Sequence, residues 1–249
     1  MNSAVIEVEK LSFSYDGDPV LQEVNFSVNQ GDFACIVGPN GGGKTTLLKL
    51  ILGLLHPQRG SVRVFGRPPE EIGHRMGYLP QNPRFDPAFP ITVMEVVLMG
   101  RLRRGLRPVF FSQRDKELAK KALREVDLYN QRNRSFSTLS GGQRQRVLIA
   151  RLLASQPELI LLDEPAANLD LKAEAELYQL LRELNKRLSL VMVSHDFFFV
   201  SSFVNKVICV KGRVMVHSTA EVSQEMVGEL YGGEVRMVKH LHHKPEGSF

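Results

Sequence analysis

The residues Gly38-Pro39-Asn40-Gly41-Gly42-Gly43-Lys44-Thr45 fit the pattern G-x-x-x-x-G-K-[ST]. Glycines let successive backbone N–H groups turn toward one anion without a Cβ in the way. A helix that starts at the end of such a loop adds its partial positive charge. Lys44 is then placed to neutralise the β- and γ-phosphates of a nucleotide, and the Thr45 hydroxyl to ligate Mg²⁺. The candidate contacts for the nucleotide in this stretch are Gly38, Asn40, Gly41, Gly43, Lys44, Thr45 and Thr46. A second chemical group is Leu159-Ile160-Leu161-Leu162-Asp163-Glu164. An apolar strand that ends in Asp163 delivers a carboxylate toward the metal. Glu164 follows it, points elsewhere, and is suited to polarise an attacking water.

These residues need elements to hold them. Phe33 to Val37 is a short apolar run and reads as a buried strand, and an apolar helix is expected from Lys44 to about Leu54. Val5–Val8 and Val24–Val28 alternate apolar and polar residues, as half-exposed antiparallel strands do, with a turn at Asp16-Gly17-Asp18-Pro19. Val62–Phe65 and Met76–Leu79 read as further strands. From about Pro80 to Ser135 the pattern changes to proline-rich loops and helices, at Val93–Met99 and Asp115–Val126. Alternation of strand and helix then resumes: a helix from Gln143, a strand at Leu159–Asp163, and a helix bearing Leu177, Leu180, Leu181, Leu184 and Leu188. A strand at Leu190–Ser194 follows, then a hairpin of Val207–Val210 and Val214–Val216 around Lys211-Gly212. The whole reads as an α/β chain with a helical insert.

A phosphate loop and an acidic strand occur in many NTPases. Leu139-Ser140-Gly141-Gly142-Gln143 narrows the field, because the chain here resembles the ATPase subunits of ABC transporters, in which L-S-G-G-Q is the signature motif. The order of motifs agrees: phosphate loop, a glutamine after a strand (Gln81), signature, acidic strand, and a histidine after a strand (His195). The resemblance spans roughly Val5 to Val216. It implies a P-loop NTPase fold of ABC type, with a RecA-like core sheet, an N-terminal antiparallel β subdomain and an α-helical subdomain. The ATPase domain would be residues 1–217, with the helical subdomain at about 82–155 and a C-terminal extension at 218–249. The resemblance also implies a homodimer closed through ATP, in which Ser140, Gly141, Gly142 and Gln143 of one copy cap the nucleotide held by the other. Asp170 matches the D-loop between the two sites. His195 matches the switch histidine that contacts the γ-phosphate and, with Glu164, holds the water. Gln81 matches the glutamine that senses Mg²⁺, and Tyr15 the aromatic that stacks on adenine.

The segment Leu79 to Arg101, with Phe89-Pro90-Ile91-Thr92-Val93 and Val96-Val97-Leu98-Met99-Gly100-Arg101, resembles the ATPases of bacterial zinc and manganese importers. That likeness implies two integral membrane permease subunits as partners and an extracytoplasmic solute-binding protein acting indirectly. It places the chain as a peripheral protein on the cytoplasmic face of the inner membrane. Asn168-Leu169-Asp170 departs from the G-V-D found in many metal-importer ATPases, so iron–siderophore and cobalamin importers stay open, as does a soluble ABC ATPase without a channel.

Composition sets outer bounds. The chain has 249 residues and a net charge of +5, with Arg101, Arg103, Arg104 and Arg107 clustered. That cluster suits an anionic membrane surface or a solvated face; no nucleic-acid-reading pattern accompanies it. No apolar run is long enough to span a bilayer, and the N-terminus lacks the form of a signal peptide. Cys35 and Cys209 lie in apolar strands, as buried thiols of a reducing compartment do. His240, His242 and His243 form a cluster suited to a transition metal or to nothing specific.

Overall fold

The computed structural model describes residues 3–83, 86, 89–102, 110–194 and 202–219. His195, Arg103, Arg104, Arg107, the histidines of the tail and most of the C-terminal extension lie outside the described residues.

A six-stranded sheet runs through the middle of the molecule in the order β5-β6-β7-β3-β8-β9. Its members are β3 (Phe33–Val37), β5 (Met76–Leu79), β6 (Leu159–Asp163), β7 (Ser189–Val193), β8 (Lys206–Lys211) and β9 (Arg213–Ser218). The first five pair in parallel, and β9 returns antiparallel from β8. Parallel strands are covered on both faces, so their sequences are continuous apolar runs. β3, β6 and β7 are buried at every position.

Alternation sends the two sets of side chains into two separate cores. Ala34, Ile36, Leu161, Val193 and Ile208 pack under the N-terminal sheet and helix α1 (Lys44–Ile51). Phe33, Cys35, Val37, Leu162, Met192 and Cys209 pack under helices α4 (Gly141–Ala154) and α5 (Leu171–Asn185). Both cysteines are buried and unbonded to each other, and burial raises both thiols above their ordinary pKa.

The N-terminal sheet has the order β2-β1-β4, from β1 (Ala4–Tyr15), β2 (Asp18–Asn29) and β4 (Arg59–Val64). β1 and β2 are each 12 residues long, well beyond the expected short strands. Register shifts between Val8 and Leu11 and at Phe13 break the period-two pattern, so alternation alone shows only fragments of these strands. The turn is Asp16-Gly17, with φ of 48° and 94°, the backbone that an Asp-Gly hairpin adopts. α1 stops at Ile51 rather than Leu54. Gly53 takes a φ of 69° and the Leu54 N–H bonds back to the Lys49 carbonyl, which ends the helix.

The expected helical insert is present as α2 (Val93–Leu98) and α3 (Gln113–Glu125), packed on α4. Each of the three helices starts at a capping box: Thr92 with Glu95, Ser112 with Asp115, and Ser140 with Gln143. A Cβ at Gly100 would lie 2.0 Å from the Arg151 carbonyl, so glycine there lets the end of α2 touch α4. Leu188, grouped with the α5 stripe in sequence, lies past the helix end and is buried where Asn185 Nδ2 bonds its carbonyl at 3.0 Å. No helix among the described residues is long and apolar enough to cross a membrane.

Candidate functional site

The loop between β3 and α1 carries the phosphate-binding pattern. Gly38 takes a φ of 152°, and a Cβ on it would sit 2.1 Å from the Val210 carbonyl of β8. Gly42 is also constrained, though less tightly: its Cβ would meet the Val210 carbonyl at 2.8 Å and the Pro39 carbonyl at 3.0 Å. Gly43 leads into α1 with a φ of 102°. Lys44 is 6% exposed, and its Nζ donates to the carbonyls of Gly38 at 2.8 Å and Pro39 at 3.0 Å. Those bonds hold the ammonium inside the curve of the loop. Thr46 is buried, while Asn40, Gly41 and Thr45 are exposed at the mouth.

β6 delivers the acids. Asp163, its last residue, is buried, and Thr45 Oγ1 donates to its Oδ2 at 3.4 Å. Burial raises the Asp163 pKa above the usual carboxylate range, and the adjacent Glu164 adds to that; Thr45, Lys44 and Lys49 pull the other way. Lys44 is lowered by its own burial and raised by Glu164 and Asp163. The two acids and the lysine thus offset one another in a poorly hydrated corner. A serine- or threonine-type hydroxyl beside a carboxylate is a hard oxygen donor set, and it fits Mg²⁺.

Glu164 departs from strand geometry. Its φ is 50°, and its N–H bonds to the Val193 carbonyl at 3.1 Å. A left-handed residue here swings the side chain out of the sheet's alternation, which is a stronger separation from Asp163 than being next along a strand. Gln81, two residues past β5, donates its Nε2 to Glu164 Oε2 at 2.5 Å. Gln81 and Glu164 are therefore brought together from strands that are adjacent in the sheet. Behind Glu164 lies a cleft of about 170 Å³, lined also by Pro165, Glu174, Tyr178 and Ser194. His195, the residue after Ser194, lies outside the described residues.

The second candidate anion-binding motif is built on α4. Ser140 is its N-cap: the Gln143 N–H donates to Ser140 Oγ at 3.3 Å and the Ser140 N–H to Gln143 Oε1 at 3.1 Å. Gly141 and Gly142 form the first turn and pack on the start of α5. A Cβ on Gly142 would meet Ala173 Cβ at 3.0 Å, and one on Gly141 would lie 3.6 Å from Leu169. Asp170 caps α5, accepting from the Ala173 N–H at 2.8 Å. Arg146 of α4 pairs with Glu176 of α5. The signature and the D-loop are therefore in direct contact. Tyr15 ends β1, 43% exposed, with its ring against the edge of Phe13 at 4.9 Å. The returning strand β2 touches the phosphate loop through Val20, 3.2 Å from a Cβ on Gly43.

Gly42, Lys49 and the turn at Gly212 join the site without having been singled out in the sequence. Gly42 had a visible signal, an extra glycine where the pattern requires only the next. Gly212 donates its N–H to the Gly42 carbonyl at 3.3 Å and accepts from the Gln22 N–H at 2.8 Å. Nothing local marks that contact, because it depends on β8 pairing with β3.

A two-layered sheet assembly with a phosphate loop after β3, an acidic β6 beside it and a separate capped glycine pair on α4 defines an ABC-type ATPase. The model of the family described as "ABC transporter" matches residues 21–167. The chain is 39% identical to the zinc uptake system ATP-binding protein ZurA of Listeria innocua, over 90% of each protein. It is 41% identical to a probable metal transport system ATP-binding protein of Chlamydia trachomatis, covering 90% of this chain and 96% of that one. Among solved structures, an ABC transporter assigned to the metal-chelate type, in an inward-facing conformation, superposes with a TM-score of 0.81 at 34% identity, over 92% of this chain and 89% of that one. The chain belongs to the ABC transporter family, and it is an ATP hydrolase of that family.

Proposed function

We propose that this chain energises the import of a divalent transition metal, zinc before manganese, by binding and hydrolysing ATP between two copies of itself docked on two permease subunits. The observation that carries the mechanism is the Gln81–Glu164 hydrogen bond at 2.5 Å, set beside the Lys44 loop. It joins the segment that leads into the helical insert directly to the acid best placed to take a proton from water. In this reading Lys44 and the N–H groups of residues 38–45 hold the phosphates, and Thr45 and Asp163 would hold Mg²⁺. Bound Mg²⁺ would supply charge neutralisation on the phosphate oxygens. Glu164 accepts the water's proton, Gln81 orients its carboxylate, and His195 is assigned to the γ-phosphate by its match to the switch histidine. Tyr15 stacks on the base. Ser140, Gly141, Gly142 and Gln143, with Asp170 beside them, close over the partner copy's nucleotide. The division into a 1–217 ATPase domain and a 218–249 extension belongs to this proposal, as does docking at the cytoplasmic face of the inner membrane.

The metal rests on relatives described as zinc uptake or metal transport ATP-binding proteins. A metal-chelate importer is the second reading, favoured by the superposed transporter of that type. ATPase turnover in the reconstituted complex separates them. Turnover should rise with a zinc-loaded solute-binding protein. Stimulation by an iron–siderophore or cobalamin and not by zinc refutes the metal-ion reading.

A further inference from the structure

We propose that the outer face of α3, ending in a stack of Arg124, Tyr129 and Arg132, is a contact surface for anionic phospholipid headgroups of the membrane that carries the transporter. The surface lies outside the nucleotide chemistry and does not depend on which metal is moved.

The charge of the chain is strongly segregated. Residues 82–155 hold fifteen Lys and Arg against six Asp and Glu, a net +9, while the rest of the chain carries −4, for the total of +5. α3 concentrates this charge. It buries Ala119, Ala122 and Leu123 and exposes Arg114, Lys121 and Arg124 on the opposite stripe. Its acids are occupied internally: Asp115 pairs with Arg101, Glu117 with Lys120, and Glu125 with Arg187. Arg114 and Lys121 have no ion pair among the described residues.

At the end of α3 two guanidiniums lie over the Tyr129 ring, that of Arg124 at 4.5 Å and that of Arg132 at 4.4 Å from its centroid. Arg132 also donates to the Tyr129 carbonyl at 3.2 Å. One ring thus holds two like charges together, pre-ordering a pair of planar forks that suit phosphodiester oxygens. Ahead of α3, Phe110 is 90% exposed and Leu102 49% exposed. Cations beside exposed apolar side chains are the composition that settles at the headgroup layer.

The test uses the full chain and sedimentation with vesicles of phosphatidylcholine, with or without about a third phosphatidylglycerol. Binding should require the anionic lipid and weaken at high salt. Each basic side chain near such a surface contributes roughly five-fold. The triple variant Arg114→Gln, Lys121→Gln, Arg124→Gln should therefore bind about a hundred-fold more weakly, with unchanged ATPase activity. Equal binding of neutral vesicles, no binding of anionic ones, or wild-type binding by the variant overturns the proposal. So does loss of permease association by the variant in lipid-free detergent, since that makes the face a protein contact.

Discussion

Two acidic residues separate what a single side chain does for chemistry from what it does for folding. Glu164 sits at a strained backbone position, with φ of 50°, and its carboxylate is met by Gln81. Glu164→Gln keeps that shape and one acceptor oxygen but removes the basicity. A general base contributes about 10² to 10⁴ in rate, so kcat for ATP should fall by at least about a hundred-fold while nucleotide affinity holds. Steady-state phosphate release beside an equilibrium ATP-binding titration checks both halves. Asp115 carries no chemistry. It caps α3 through Ser112 and pairs with Arg101 at 2.8 Å, and the Ser112 hydroxyl, then Arg101, hold its carboxyl down at about 2. Its unfolded value is about 3.9. A depressed carboxyl stabilises the fold fully above the unfolded value and loses that as pH falls toward the folded one. Asp115→Asn should cost about 2 kcal/mol at neutral pH, with the gap to wild type closing between about pH 4 and pH 2. Urea midpoints measured across that range test the sign as well as the size.

Among the elements, the β8–β9 turn acts as a strap on the phosphate loop. Gly212 has a φ of 70°, bonds the Gly42 carbonyl, and accepts from Gln22 of β2. Gly212→Ala imposes about 1–2 kcal/mol of left-handed strain at that turn. The loop should then hold nucleotide less well, so KM for ATP rises several-fold while kcat changes little. A lowered kcat with unchanged KM would show that the turn serves folding alone. This strap illustrates what the sequence hides. The loop and β6 were legible because each is a local pattern: glycines before a lysine, an apolar run ending in acids. The α4 motif was legible only through its resemblance to a family signature; the helix expected from Gln143 starts at Gly141 behind the Ser140 cap. β3, β5 and β6 were legible to the residue, because burial on both faces leaves unbroken apolar runs. β1 and β2 were read as fragments because bulges interrupt their alternation. The Gln81–Glu164 contact, like the Gly212 strap, comes from strand order, and order in a parallel sheet is set by long crossovers that leave no local trace.

At the scale of the molecule, the two candidate anion sites differ in how much of each one chain supplies. The loop around Lys44 has its lysine, its hydroxyl and its acids within the same chain. The capped pair Gly141-Gly142 on α4 leans on Leu169 and Ala173, and just past the Asp170 cap Leu171 stands 80% exposed. A bare leucine beside a helix whose own first turn carries no acid makes sense if a second copy covers both. A ligand favours an assembly only through its greater affinity for the assembled state. ATP gripped by Lys44 of one copy and Ser140 of the other meets that condition, and ADP, lacking the γ-phosphate, meets it poorly. The Glu164→Gln chain, 28.0 kDa as a monomer, should therefore run as a dimer in Mg-ATP and as a monomer in Mg-ADP. Adding Leu171→Asp, which places a charge in the covered patch, should return the ATP-bound chain to the monomer without removing nucleotide from the Lys44 loop. Light scattering paired with a bound-nucleotide assay reads both quantities. A dimer that forms equally well in ADP, or that survives Leu171→Asp, would mean that the exposed leucine and the α4 cap do not meet a partner through nucleotide.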